Sequence, residues 1–207
     1  MPAALNSHTH RFIPGEGPPL LLLHGTGGNE NDLIPLAQQV APGRALLSPR
    51  GKILENGMPR FFRRLSEGVF DEDDVKYRAE ELADFVAGAR RAYELEAPVA
   101  LGFSNGANIA AALLFLRPEA LAGAILLRAM VPLAKPPTPD LEGKPALIVS
   151  GSADPIIPIE NARTLADMLR NAKASVSHET LPAGHGLTQS DLALTAQWLN
   201  RKDRSWN

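Results

Sequence analysis

Apolar residues in this chain fall into short unbroken runs separated by longer stretches of helical period. Leu20–Leu23 is a run of consecutive leucines, and a run without polar alternation predicts a strand buried on both faces. Short apolar runs over residues 45–47, 98–101, Gly123–Leu127, 146–149 and 176–180 predict further strands. Between them lie helical patterns over residues 31–40, 75–93, Asn105–Leu116, 160–171 and 188–200. In the second of these, Leu82, Phe85, Val86, Ala89 and Tyr93 recur along one helical face, an ordinary core-facing stripe. The acidic run from Asp71 to Asp74 puts negative charge at that helix's N-terminus, where the helix dipole favours it. It lacks the glycine and downstream glutamate of a calcium loop. Strand–helix alternation of this kind predicts an α/β fold: a mostly parallel, doubly wound sheet with helices on both faces.

Residues 50–74 follow neither period. A structureless stretch of that length inside a compact domain is either functional or misassigned, and the expectation is a cap loop over a ligand site. Composition narrows the class further. At 207 residues the chain is long enough for one domain, residues 1–207, with a full core. Its 21 Lys and Arg against 23 Asp and Glu leave a formal charge of −2, which supplies no electrostatic case for nucleic acid or an anionic membrane. No cysteine is present, so neither a disulfide, a thiolate metal site nor a thiol nucleophile is available. Residues 1–14 lack the apolar core of a signal peptide, and no apolar run approaches the ~20 residues that span a membrane. A soluble, cytoplasmic protein is expected, without cofactor or metal; a homodimer is compatible with this reading.

The candidate chemistry starts at Gly102-Phe103-Ser104-Asn105-Gly106. This Gly-x-Ser-x-Gly lies between a predicted strand and a predicted helix, the setting of a nucleophile elbow. The tight turn demands small neighbours, and it presents Ser104 at a helix N-terminus that favours developing negative charge. Two further segments follow in the chain order Ser, Asp, His. Gly151-Ser152-Ala153-Asp154-Pro155 leaves an apolar strand, and Gly184-His185-Gly186 sits on the loop after the next one. Ligand sites of parallel sheets lie beyond the carboxyl ends of their strands, where such loops converge. Ser104 is then the expected nucleophile, His185 the general base and acid, and Asp154 the group that orients the imidazole. Taken singly, the Asp154-Pro155 pair favours a turn cap, and His185 reads as an exposed loop residue.

Leu23-His24-Gly25-Thr26-Gly27-Gly28 follows the leucine strand. A glycine-rich loop lets backbone N–H groups approach a ligand, so the expected oxyanion donors are the N–H groups of Thr26 and Asn105. His24 has no second ligand at useful spacing and is expected to support this loop. No Gly-Lys-Ser/Thr follows the glycines, which disfavours a phosphate loop.

With these four segments, the chain resembles the small bacterial α/β-hydrolases of the carboxylesterase/phospholipase family, which includes acyl-protein thioesterase relatives. Ser48-Pro49-Arg50-Gly51-Lys52 through Glu55-Asn56-Gly57-Met58-Pro59-Arg60-Phe61-Phe62-Arg63-Arg64 is similar to the branch associated with hydroquinone and related stress in bacteria. The resemblance implies the triad Ser104, Asp154, His185 and a minimal cap. Substrate contacts are expected from Arg60, Phe61, Phe62 and Arg63 in the cap, and from Arg128 and Met130 after strand Gly123–Leu127. The cap stretch also holds Met58, Phe70 and Arg64; its aromatics would form an apolar wall, and one of its arginines would face an acyl or carboxylate group. For any single arginine, pairing with the nearby acidic run is the stronger expectation. The leading function is hydrolysis of small soluble carboxylic esters or thioesters. The alternatives are lactone or C–C bond hydrolysis of a ring-derived metabolite, and a non-enzymatic ligand-binding protein on the same scaffold.

Overall fold

A computed structural model describes residues 5–203; the first four and last four residues of the 1–207 span lie outside the described residues. A seven-stranded sheet forms the centre. Its strands are β1 (His10–Ile13), β2 (Leu20–Leu23), β3 (Leu46–Pro49), then β8 (Val99–Phe103), β9 (Gly123–Leu127), β10 (Pro145–Gly151) and β11 (Ser175–Leu181). In space they lie in the order β1-β3-β2-β8-β9-β10-β11. Only β1 runs antiparallel, on the β3 edge. That strand was not expected: four residues of mixed polarity at a sheet edge carry no apolar run.

Period-two geometry divides the leucine strand between two cores. Leu21 and Leu23 pack with Leu82, Phe85 and Ile109 on one face, while Leu20 and Leu22 pack with Ala37, Val40 and Trp198 on the other. The helices on the first face are α2 (Glu72–Tyr93), α3 (Asn105–Leu116) and α4 (Ile159–Asn171); α1 (Ile34–Val40) and α5 (Gln189–Asp203) cover the second. All four leucines of β2 are fully buried. At about 1.5–3 kcal/mol for each fully buried side chain, such a strand can hold the centre of a sheet. Helix α2 begins within the acidic run, and its N-cap Asp71 accepts a hydrogen bond from the Asp74 N–H. No helix among the described residues is long and apolar enough to cross a membrane.

Register brings the site together. Leu23 pairs with Gly102, Phe103 with Leu127, Val149 with Leu127, and Gly151 with Leu181, so the carboxyl ends of five parallel strands finish along one edge. The chain lays β3 on one side of β2 and β8 on the other, which makes β2/β8 the switch point of the sheet. A crevice opens outside the strand ends at such a point.

Residues 50–74 are not a structureless loop. They hold two hairpins, β4 (Ile53–Glu55) with β5 (Met58–Arg60), and β6 (Arg64–Ser66) with β7 (Val69–Phe70), before α2 begins. The first turns through Asn56 and Gly57, both at positive φ (52° and 80°), as a tight two-residue hairpin requires. Strands of two or three residues are too short to display alternation, so the Asn-Gly pair was the only available signal.

Candidate active site

Ser104 sits at φ 51°, ψ −115°, a conformation that non-glycine residues rarely adopt. The surrounding turn explains how it is held. A Cβ on Gly106 would lie 1.9 Å from the Leu23 carbonyl oxygen, and one on Gly102 would lie 2.6 Å from that of Gly106. Both motif glycines are therefore required by close backbone approach. The Ser104 N–H donates to the Leu127 carbonyl (2.9 Å), and the Ser104 carbonyl accepts from the Asn108 N–H (3.0 Å).

The three residues expected to act together do meet. His185 Nε2 lies 2.9 Å from Ser104 Oγ, and His185 Nδ1 lies 2.8 Å from Asp154 Oδ2. With the proton on Nδ1, the imidazole donates to Asp154 and accepts from the serine hydroxyl. The Asp154 side chain is 1% exposed, and its other oxygen accepts the N–H groups of Ile156 (2.8 Å) and Ile157 (3.1 Å). That carboxylate thus caps its own turn and orients the histidine at once. The Asp and His loops also brace each other, the Ala153 N–H donating to the Ala183 carbonyl (3.0 Å).

Arg128 lies behind this assembly, and substrate contact was the expectation for it. The structure instead buries it at 1% exposure, outside the pocket wall. Its guanidinium grips Asp191 through two bonds of 2.7 and 3.0 Å and donates to the carbonyls of Gly184 (2.9 Å) and Gly186 (3.3 Å). Those glycines flank His185, so Arg128 holds the histidine loop. With the Val149 carbonyl (3.3 Å) as a fifth acceptor, all five guanidinium N–H groups are engaged and none is left for a ligand. Asp191, on α5, was missed because one aspartate in an amphipathic helix carries no distinguishing signal.

Across the pocket, three consecutive residues of β5 and its exit bind the glycine-rich loop and the elbow. The Pro59 carbonyl accepts from the Gly27 N–H (2.9 Å), Arg60 donates to Thr26 Oγ1 (2.7 Å), and the Phe61 N–H donates to Asn105 Oδ1 (2.7 Å). His24 supports the same loop, as expected. Its Nδ1–H donates to the Gly25 carbonyl (2.7 Å) and its Nε2 accepts the Gly51 N–H (2.9 Å). Burial lowers the His24 pKa, opposed by the bond to Gly25, and the imidazole stays neutral as that acceptor role requires. The N–H of Asn105, first residue of α3, has no intrahelical acceptor.

A pocket of about 320 Å³ opens over Ser104 and His185. Of the expected substrate contacts, Arg60 and Met130 line it. Phe61 and Phe62 do not: at 3% and 0% exposure they belong to the core beneath the hairpins. Arg63 is also elsewhere, paired with Asp71 at 2.9 Å at the start of α2, in line with the acidic-run alternative. Of the cap aromatics Phe70 does line the wall, with Phe103, Ile156 and Ile157, and the cap arginine Arg64 joins it together with Asn108. Asn108 lay within reach of sequence reasoning, since a residue four after Ser104 shares its helix face. Its Oδ1 accepts the Met130 N–H (2.7 Å) and fixes that wall.

A parallel sheet with a serine elbow, an acid loop and a histidine loop at its switch point defines an α/β-hydrolase. The sequence profile of the phospholipase/carboxylesterase family matches residues 16–202, and the chain belongs to that family, an esterase-type hydrolase. The MhqD protein of Bacillus subtilis (strain 168) is 48% identical over 181 residues, 86% of this chain and 90% of that protein. This agrees with the branch to which residues 48–64 are similar. The crystal structure of the Bacillus cereus carboxylesterase superposes with a TM-score of 0.90 at 45% identity, covering 92% of each chain. A carboxylesterase from Mesorhizobium loti gives 0.86 at 33% identity, covering 90% of each.

Proposed function

We propose that the protein hydrolyses carboxylic esters or thioesters of small soluble molecules through an acyl-enzyme on Ser104. Ser104 Oγ attacks the carbonyl carbon while His185 Nε2 takes the hydroxyl proton. Asp154 stabilises the resulting imidazolium and keeps its ring oriented. The carbonyl oxygen becomes an oxyanion held by the N–H groups of Thr26 and Asn105; losing one such donor costs about 3–4 kcal/mol in the transition state. As the tetrahedral intermediate collapses, the C–O or C–S bond breaks and the leaving group takes the proton from His185. Water, deprotonated by the same imidazole, then attacks the acyl carbon and restores the serine.

The observation that carries this reading is the unbroken chain Ser104 Oγ–His185–Asp154, with separations of 2.9 and 2.8 Å, at the floor of a pocket. The hairpins of residues 53–70 act as the cap. A volume of about 320 Å³ lies at the small end of the usual ligand-pocket range and favours short acyl or compact alcohol groups. Hydrolysis of p-nitrophenyl esters of graded acyl length, by the wild type and S104A in parallel, tests the reading. Activity should peak at short chains and fall at least ~1,000-fold in the variant. Equal rates for the two proteins would refute it.

A further inference from the structure

The arginines of the pocket are not equivalent. Arg60, 3% exposed, is committed to the protein: Nε donates to the Phe62 carbonyl (3.2 Å), one terminal nitrogen donates to Thr26 Oγ1 (2.7 Å), and that nitrogen also lies 3.2 Å from Glu55. Arg64 gives only its Nε, to the other oxygen of Glu55 (2.8 Å). Among the described residues neither of its terminal nitrogens has a protein acceptor, and its side chain lines the same pocket as Ser104 and His185. One carboxylate therefore serves two guanidiniums, leaving one positive charge uncompensated at the pocket wall. Glu67 also lines the pocket, but from the exposed turn of the second hairpin, where water and salt screen it. Arg64 pairs across its hairpin with Phe70, and Met130 and Ile157 lie in the same wall. The charge thus stands beside apolar surface, where an ionic hydrogen bond is stronger than in water.

We infer that the pocket selects esters bearing a second, carboxylate group, which Arg64 binds through its terminal nitrogens while Arg60 adds positive charge behind it. The inference rests on the esterase reading and names its substrate class. A guanidinium fork matches a carboxylate in geometry. A single uncompensated charge also suits a monoanion better than a phosphomonoester, which carries about −1.5 to −2.

The carboxylate can lie on either side of the scissile bond, so two matched pairs test the inference. They are monomethyl succinate against methyl pentanoate, and 4-acetoxybenzoate against 4-methylphenyl acetate. The wild type should prefer the anionic member of at least one pair by about 10- to 100-fold in kcat/KM, the range for a hydrogen bond to a charged group. In R64M that ratio should fall to about 1, with the change in KM, and R64K should restore part of it, because an ammonium keeps the charge but loses the fork. Ratios near 1 for both pairs in the wild type would overturn the inference, as would an unchanged preference in R64M. If the folded wild type cleaves none of these esters, nor p-nitrophenyl acetate, the esterase reading fails separately. Calorimetric binding of monomethyl succinate then decides the site: binding lost in R64M supports it, and no binding to either protein overturns it.

Discussion

On one side of the pocket, Ser104, Asp154 and His185 stand on loops leaving β8, β10 and β11, whose carboxyl ends the sheet holds in register. On the other side, Arg60, Arg64 and Phe70 stand on hairpins with strands of two or three residues. Two such strands are too small to be stable alone. They are held by contacts to the sheet's own loops: Pro59 to Gly27, Arg60 to Thr26, Phe61 to Asn105 and Gly51 to His24. The first wall is fixed by backbone topology, so its chemistry is set once the strands pair. The second is fixed by a handful of side chains, and a residue there that touches neither Thr26 nor Asn105, such as Arg64, can change without moving the first wall.

The largest effect should come from the first wall. S104A is expected to lower kcat by at least ~1,000-fold with thermal stability retained, since it removes the nucleophile and leaves the packing in place. Steady-state kinetics together with a melting curve check both halves. Next is the support behind His185. R128M strands the fully buried Asp191 without its partner, and breaking a buried ion pair costs about 3–5 kcal/mol. Urea unfolding should show that loss, and the double variant R128M/D191L should recover much of it while activity stays low, because the carbonyls of Gly184 and Gly186 still lack their donor.

Much of the first wall was legible in the sequence, and the reason is topological. Glycines around a serine, an aspartate after an apolar strand and a histidine between glycines occur in an order that a parallel sheet brings to one edge. What could not be read was which cationic side chain points where. Arg128 directly follows a core strand, yet Asp191 draws it away, a contact between distant parts of the chain that neither spacing nor charge reveals. Arg63 instead pairs with Asp71 in the nearby acidic run, the outcome that charge and proximity in sequence favoured. Phe61 and Phe62 misled for a related reason: adjacent aromatics look like a pocket lining, but here both fill the core under hairpins too short to be seen.

Acid should loosen the second wall. Burial lowers the His8 pKa to about 4 from an ordinary 6.5, and it lowers that of His24 as well. Between those values the unfolded chain binds a proton that folded His8 does not, so stability is full above about pH 6.5 and lost as pH falls toward 4. The His8 share is about 3 kcal/mol over that window. Protonated His24 could no longer accept the Gly51 N–H at the root of the first hairpin. Urea titrations at pH 7 and 4.5, on the wild type and H8F, should show a steep loss that the variant reduces; a flat profile in the wild type would count against neutral burial. The smallest effect belongs to the hairpin tip. N56V forces a β-branched residue to φ 52° and should cost about 1–2 kcal/mol, a fall of roughly 2–8 °C in Tm for a chain of this size.

In the proposed reaction Ser104, and no other residue, carries the acyl group. Rapid acid quench of the protein during turnover of p-nitrophenyl acetate, followed by intact-mass and peptide analysis, tests it directly. One acetyl adduct per chain is expected, on the peptide containing Ser104 and absent in S104A. Turnover without an adduct, or an adduct that persists in S104A, would contradict it.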